Sequence, residues 1–471
     1  MVSAKITVTY NDNFNIWLCI YPKLQNHLPL KDIYWKSSNG VVKYIENLEI
    51  NIKPYHQINL DVKPHQLPSL LDNPYLNIFL VKCDDIDIYR NHIRSTIRSW
   101  YNTVTSKKNQ EWLIIHVVLQ LDPLVTNKNM TPSKFLSIKA SVYDKIKADF
   151  DTSKKDRCVQ LRLGDADEIE SWQDLIAKMK EGILSSFNAR IIQYEQEIEK
   201  MDSKRKIPGW NYCTFFILKE GLAQSYEQMT LIEDSLAQYD ELESLFYQTI
   251  KDNQLAWFEN IGGTHSNDDS ESILDTSKKP YRMFILQNTI SFFDFRVYLF
   301  ARQCQLLQQL GEYTDILRRG RDFITTMAIV LRKNEETLVP WFIESWIWSA
   351  VHDLLNIKEE IYEDKTFSAL RGELLFLARL QLDKIGAAFG HIPNNLLFSD
   401  KFIMISENNT RIHLEESEHI TNTQLIRMIN SKEEFLKEYQ TLNNYILMEF
   451  QQGEKPNSVK RILGDLAAFQ Q

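Results

Sequence analysis

Hydrophobic periodicity changes once along this chain, near residue 205, and that change restricts the fold more than any single motif. Before it, short runs of alternating or continuous apolar residues alternate with segments of period 3.6. After it, strand-like patterning nearly vanishes and apolar residues recur at spacings of three and four. A chain of 471 residues exceeds one ordinary core, so two or three units are expected. The boundary is placed between an α/β domain, residues 1–203, and an α-helical region, residues 204–471.

In the first domain Lys5–Tyr10 reads as a strand and Asn13–Leu28 as a helix. Ile33–Lys36 and Val41–Ile50 read as two strands joined by the turn Ser37-Ser38-Asn39-Gly40. Pro54, Pro64, Pro68 and Pro74 punctuate a long loop. Tyr75–Lys82 is an apolar strand, Ile86–Trp100 an amphipathic helix, and Trp112–Gln120 the most apolar strand, expected mid-sheet. Ile138–Phe150 is a helix and Arg157–Leu163 a last strand. From Trp172 a long helix carries Leu175, Met179, Ile183, Phe187, Ile191, Tyr194 and Ile198 on one stripe, with Ser171-x-x-Asp174 read as its capping box. This order implies a mostly parallel sheet with helices on both faces. It is also the order of small GTPases, lacking one helix in the Pro-rich loop.

In the second region Phe215–Ile250 reads as two helices breaking near Asp234. Helices follow over Phe284–Arg332, Val339–Asn356, Thr366–Phe389 and Thr421–Gln451, with a small hairpin over Met404–Leu414. Gly262–Lys279, rich in Ser, Asp and Gly, is expected to form a flexible loop over about 262–280 with no core of its own. Leu310-Gly311-Glu312-Tyr313 resembles the turn of a tetratricopeptide repeat, although the full consensus is absent. The region therefore reads as an α-solenoid of degenerate, TPR-like helical hairpins, an architecture that serves as a binding surface.

The chemistry expected of each candidate motif is weak. A net charge of −9 and a pI near 5.7 lack the basic footprint of a nucleic-acid binder. Cys19, Cys83, Cys158, Cys213 and Cys304 form no C-x-x-C pair and read as reduced thiols of a cytosolic protein. MVSAKITVTYND has no apolar signal-peptide core, and no run of about 18 apolar residues would span a bilayer. Glycine is scarce, 14 residues in all, which disfavours phosphate-cradling loops and nucleophile elbows.

Taken as a GTPase, the chain would bind phosphate between its first strand and first helix. That segment, Thr9-Tyr10-Asn11-Asp12-Asn13-Phe14, has neither Gly nor Lys, and Asp12 would repel phosphate. Thr126-Asn127-Lys128-Asn129 is similar to the guanine-reading Asn-Lys-x-Asp, but Asn129 replaces the acceptor Asp. No H-x-x-x-H or H-E-x-x-H occurs, so no metal and no cofactor are expected. His56 and His65 read as surface residues, His116 as a hydrogen-bonded core histidine. Asp84-Asp85 reads as a helix N-terminus and Asp268-Asp269 as part of a disordered loop. Trp341, Trp346 and Trp348 read as helix core, with Trp341 and Trp348 on one face; a partner-binding groove is the alternative. Lys204-Arg205-Lys206 and Arg318-Arg319-Gly320-Arg321 read as solvated faces, or as contacts to an acidic partner or lipid headgroups.

Six blocks carry a family resemblance. Tyr21-Pro22-Lys23-Leu24 runs on to Leu28-Pro29 and Ile33-Tyr34-Trp35-Lys36. Asp144-Lys145-Ile146-x-x-Asp149-Phe150 leads to Asp156-Arg157-Cys158-Val159, followed by Glu170-Ser171-Trp172. Pro208-Gly209-Trp210-x-x-Cys213, Gln238-Tyr239-Asp240-Glu241-Leu242 and Tyr298-Leu299-Phe300-x-Arg302-Gln303-Cys304 complete the series. Over about residues 17–310 the chain resembles the N-terminal region of the large subunit 10 of the transport protein particle (TRAPP) complex, the family of the yeast 130-kDa subunit. Members of that family are longer and end in β-sandwich domains. The resemblance implies a GTPase-like N-terminal fold and a non-catalytic scaffold of TRAPP complex II, an exchange-factor complex for Rab GTPases that is also considered a tether. It implies as partners a sedlin-like small adaptor, the other large subunit of complex II and, indirectly, a Rab GTPase. It also implies a cytoplasmic protein peripheral on the Golgi. Two other readings stay open: a divergent nucleotide-binding GTPase relative, and a generic helical-repeat adaptor.

Overall fold

The computed structural model describes residues 5–57, 73–106, 110–119, 141–151, 156–164, 167–207, 209–251, 258, 260–357, 365–392 and 413–452. The chain divides into two compact units, residues 1–210 with 218–238, and residues 211–217 with 239–471.

The first unit is built on β1 (Ile6–Asp12), β4 (Ile50–Pro54), β5 (Leu76–Val81), β6 (Trp112–Leu119) and β7 (Cys158–Leu163). They form a five-stranded parallel sheet in the order β4-β1-β5-β6-β7. β2 (Leu30–Lys36) pairs antiparallel with β3 (Val42–Leu48), and only Glu49 separates β3 from β4. Counting β3 and β4 as one bent strand, the order becomes that of small GTPases, with the antiparallel strand at the edge. β6 lies inside the sheet as its apolar run predicts, and β5 is central and buried throughout.

Period-two geometry splits the strand residues between two cores. Leu76, Ile78 and Leu80 of β5 and Leu113, Ile115 and Val117 of β6 face one core. That core is closed by Ile20 and Leu24 of α1 (Trp17–Gln25) and by Leu175, Met179, Ile183 and Phe187 of α5 (Glu168–Asp202). Phe79, Val81 and Ile114 face the other core. It is closed by Ile97 and Trp100 of α3 (Arg94–Thr105) and by Ile146 and Phe150 of α4 (Val142–Phe150). A short α2 (Ile86–Ile88) enters α3 through a π-turn over Tyr89–Ile93, and Asp85 caps it, accepting from the backbone N–H of Asp87 and Ile88. Asp84-Asp85 is thus the helix start its sequence suggests.

Two helix starts differ from expectation. α5 begins at Glu168, and Ser171 is no cap: its hydroxyl donates to the Glu168 carbonyl inside the first turn. The capping box lies instead at α4, where Ser141 and Asp144 exchange hydrogen bonds. The predicted α1 is also shorter than Asn13–Leu28, because the β1–α1 turn extends to Ile16.

Residues 218–238 group with the sheet because Leu222, Tyr226, Met229 and Leu231 join the first core. They belong to α6 (Tyr212–Gln228) and α7 (Ile232–Lys251), which break at Thr230, in a left-handed backbone, slightly before Asp234. The second unit continues with α8 (Tyr281–Gln287), α9 (Phe292–Leu310), α10 (Tyr313–Lys333), α11 (Phe342–Leu355), α12 (Lys365–Ala388), α13 (Thr423–Asn430) and α14 (Lys432–Gln452). Successive helices pack on one another from α9 to α12, and α12 packs on α14. Gly311 ends α9 at φ +78°, a conformation that costs glycine least, so the Leu310–Tyr313 turn reverses the chain into α10. The expected hairpin over Met404–Leu414 falls almost wholly outside the described residues.

The expectation of a flexible, coreless loop over 262–280 is corrected. Asp268, Asp269 and Ile273 are buried. Asp269 accepts from the Ser345 hydroxyl at 2.5 Å and from the Thr421 backbone N–H at 3.0 Å. Ile273 N–H donates to Asp353 at 2.8 Å. Lys279 pairs with Asp268 and, at 2.7 Å, with Asp294. Composition misleads here because Asp269 finds donors on elements distant in sequence, while Asp268 takes the His265 N–H and Lys279 from within the segment itself.

Candidate functional site

In a parallel α/β sheet, ligands bind outside the carboxyl ends of the strands, and the first strand–helix turn is the phosphate site of nucleotide-binding members. Here Asp12 ends β1 and turns its carboxylate onto the start of α1. Oδ1 accepts from the Phe14 backbone N–H at 2.9 Å and Oδ2 from the Trp17 N–H at 2.8 Å. The positive end of the helix therefore has an anion supplied by the chain itself. Tyr10 stacks on Trp17 with ring centroids 3.9 Å apart, and Trp17 leans on Tyr21 at 5.2 Å. Burial, helped by the Asp12 charge, pushes the Tyr10 hydroxyl above its ordinary range. Sequence reasoning treats Asp12 only as repulsive to phosphate; the structure adds that its oxygens hold the N–H groups of this turn. Thr126–Asn129 lies outside the described residues.

The family-resembling blocks of the first unit form structural joints. Asp149 of α4 accepts from the Tyr89 hydroxyl at 2.9 Å and from Arg94 at 2.7 Å. Arg157, fully buried before β7, donates to Glu111 at 3.2 Å and to Glu181 of α5 at 2.8 Å. Asp156 takes Lys178 at 2.9 Å. Trp35 of β2 donates its indole N–H to Asn188 of α5 at 2.7 Å. Trp210 donates to the Met201 carbonyl at 3.0 Å.

In the second unit, Asp240 and Tyr239 meet Arg302 and Gln303, so two blocks far apart in sequence form one polar network. Gln303 donates to Asp240 and Glu243, each at 2.9 Å, and Arg302 to the Tyr239 hydroxyl at 3.0 Å. Arg319 grips Asp240 with bonds of 2.6 and 3.0 Å. The Arg318–Arg321 cluster is accordingly no free cationic face. Arg318 pairs with Asp315, and Arg321 with Glu373 at 2.6 Å and Asp322 at 2.9 Å. Of the other basic cluster, Arg205 pairs with Asp202 and lies over the Trp210 ring.

Trp346 and Trp348 are fully buried, as the core reading holds. Trp341 does not share their helix face: it precedes α11 at φ +64° and packs against Phe389 and His413. His116 is a core histidine whose Nε2 lies 2.8 Å from the Cys83 carbonyl, and burial keeps it neutral by lowering its pKa. His56 is exposed in a single 3-10 turn, and His65 lies outside the described residues. Cys19 is exposed and the other four thiols are buried; burial lifts Cys158 to about 12 and Cys213 to about 11. Among the described residues no cluster of three or more His, Cys, Asp or Glu could hold a metal, and no helix is long and apolar enough to cross a membrane.

Two grooves stand out among the described residues. One, of about 520 Å³, runs beside the β2–β3 hairpin, between Trp35 and Lys43 and Asn188 and Ile192 of α5. The other, of about 490 Å³, lies among α10, α11 and α12. Neither was legible in the sequence, because a groove wall and a helix–helix contact have the same apolar spacing.

Strand order, the Asp12-capped turn and the packed helices define the class: a GTPase-like α/β domain without a phosphate-binding loop, in series with helical hairpins. The sequence profile of the trafficking protein particle complex subunit 10-like family, N-terminal domain, matches residues 1–205. These residues belong to that family. The chain is 38% identical over 399 residues to trafficking protein particle complex subunit 10 of Dictyostelium discoideum, covering 76% of this chain and 26% of that protein. It is 29% identical over 399 residues to the trafficking protein particle complex II-specific subunit 130 homolog of Arabidopsis thaliana, covering 82% and 30%. It is 24% identical over 387 residues to the complex II-specific subunit 130 of Saccharomyces cerevisiae, covering 80% and 32%. The chain thus spans about a quarter to a third of these relatives' lengths.

Proposed function

We propose that this chain is a non-catalytic scaffold region of a TRAPP II subunit, supporting Rab guanine-nucleotide exchange and vesicle tethering at the cytoplasmic face of the Golgi. The exchange chemistry would lie in other subunits. The observation that carries the reading is the match of its first 205 residues to the subunit 10-like family, extended by relatives that run on into the helical unit. The physical features agree with it. The six sequence blocks serve as joints that hold helices and strands in place, the work a scaffold requires. Its partners on this reading are a sedlin-like small adaptor, the other large complex II subunit and, through them, a Rab GTPase. Affinity purification of the chain from its native cell should recover small TRAPP subunits in stoichiometric yield. Their absence, with the chain folded and abundant, would end the proposal.

The GTPase strand order favours a second reading, retained nucleotide binding. The Asp12 carboxylate opposes it, since a phosphate would have to displace an anion already bonded to the turn. Calorimetry with GTP and Mg²⁺ decides between them: heat that saturates would support binding, and none at millimolar nucleotide would exclude it.

A further inference from the structure

The groove among α10, α11 and α12 has a floor of Ile324, Ala328, Ile347 and Leu377. At its mouth Ile329 stands 53% exposed, a large apolar side chain with little cover. The residues lining it include three cations, Arg332, Lys333 and Lys384, and no carboxylate, in a chain whose net charge is −9. Glu344 takes hydrogen bonds from both Arg332 and Lys384, and Glu335 takes Arg332 at 2.8 Å. Of the three lining cations, Lys333 has no ion pair among the described residues.

A second, independent feature lies in the wall. Gln381 is 4% exposed and donates its amide N–H back to the Leu377 carbonyl at 3.0 Å. Its Oε1 is buried with no hydrogen-bond partner among the described residues. An occupant carrying a donor would satisfy that acceptor.

The walls also select the form of the occupant. They are helices whose backbone groups are bonded within themselves, so no strand can be added there. What remains is a trough of side chains, which suits a segment whose own backbone is already satisfied. A volume of about 490 Å³ is in the range that takes several apolar side chains.

We propose that this groove docks an amphipathic helix of a partner protein, with an acidic polar face, apolar residues at i, i+3 or i+4 and i+7, and a hydrogen-bond donor within the stripe for Gln381. The inference does not depend on which assembly the chain joins, so it can fail or stand separately from the proposed function.

The test is photocrosslinking in the native cell from the full chain with p-benzoylphenylalanine at position 329, the exposed Met283 serving as control site. The adduct is then sequenced. An acidic, amphipathic segment of another protein is expected. A Lys333→Glu/Lys384→Glu variant should cut its yield about tenfold, and Ala328→Trp, which fills the floor, should abolish it. Both variants should keep the thermal transition and circular dichroism of the parent; if Ala328→Trp unfolds, the charge variant alone decides. An adduct to lipid, to a second copy of this chain or to a segment that is not acidic overturns the proposal. So does the absence of an adduct, or a yield that charge reversal leaves unchanged.

Discussion

Gly320 of α10 lies so close to Leu354 of α11 that a Cβ there would overlap the leucine Cδ1 and stand 2.9 Å from Cδ2. Leu354 is buried, so its side chain would have to shift inside packed surroundings to admit that Cβ. Replacing an interior helical glycine by alanine ordinarily stabilises by about 1 kcal/mol. Here overpacking costs about 1–3 kcal/mol and reverses the sign. Gly320→Ala should lower the urea midpoint of the helical unit, while Leu354→Ala should make Gly320→Ala less costly in the double variant.

Asp240 receives Arg319 and Gln303 together. Both ion-pair members are about a third exposed, so solvent weakens the pair. A double-mutant cycle with Asp240→Ala and Arg319→Ala should give a coupling of about 1 kcal/mol. Asp240→Ala should cost more than Arg319→Ala, because it also strips a partner from the buried Gln303.

His116, His352 and His391 all have pKa values lowered by burial, which favours the neutral ring in the fold. A depressed value means that the unfolded chain binds the proton more readily. Their contribution is complete above the unfolded value of 6.5 and is lost as pH falls through the folded values. Unfolding midpoints should therefore drop between about pH 7.5 and 5.5, each histidine adding at most about 1.4 kcal/mol per pH unit. His352→Gln should flatten that dependence for the helical unit, as read by urea titrations at the two pH values.

Asp12→Ala removes the acceptor of the Phe14 and Trp17 N–H groups. The expected loss is about 1 kcal/mol of stability in the sheet unit, with faster amide exchange over residues 13–18. Because the turn still lacks Gly and Lys, the variant should not acquire affinity for nucleotide in calorimetry.

Cys19 is the exposed thiol, whereas burial pushes Cys158 and Cys213 to about 12 and 11 and raises Cys83 and Cys304. Brief treatment of the native chain with iodoacetamide near pH 8 should give one adduct, located at Cys19 by mass spectrometry. Guanidinium should release all five.

The sheet was legible because its strands are short, apolar and bounded by turn residues, and because periods of two and 3.6 register in local sequence. β5 and β6 illustrate this: their alternation assigns side chains to two faces before any contact is known. Helix starts were less legible. Ser171 and Ser141 both precede an acid three residues later, and only the backbone geometry shows that the second is the cap. The Arg318–Arg321 cluster read as solvent-facing because two of its acids, Asp240 and Glu373, lie far along the chain.

The sequence by itself determined the order of strands and helices, the change of architecture near residue 205 and the lack of Gly and Lys at the first turn. All three are local properties of side-chain chemistry and spacing. Tertiary structure decided where each polar group finds its partner: Asp12 on the N-terminus of α1, the buried Asp268 and Asp269 in a packed strap, and an open groove lined by three cations among α10, α11 and α12. Hydrogen bonds and grooves depend on which distant segments meet, and periodicity along one segment carries no record of the segment across from it.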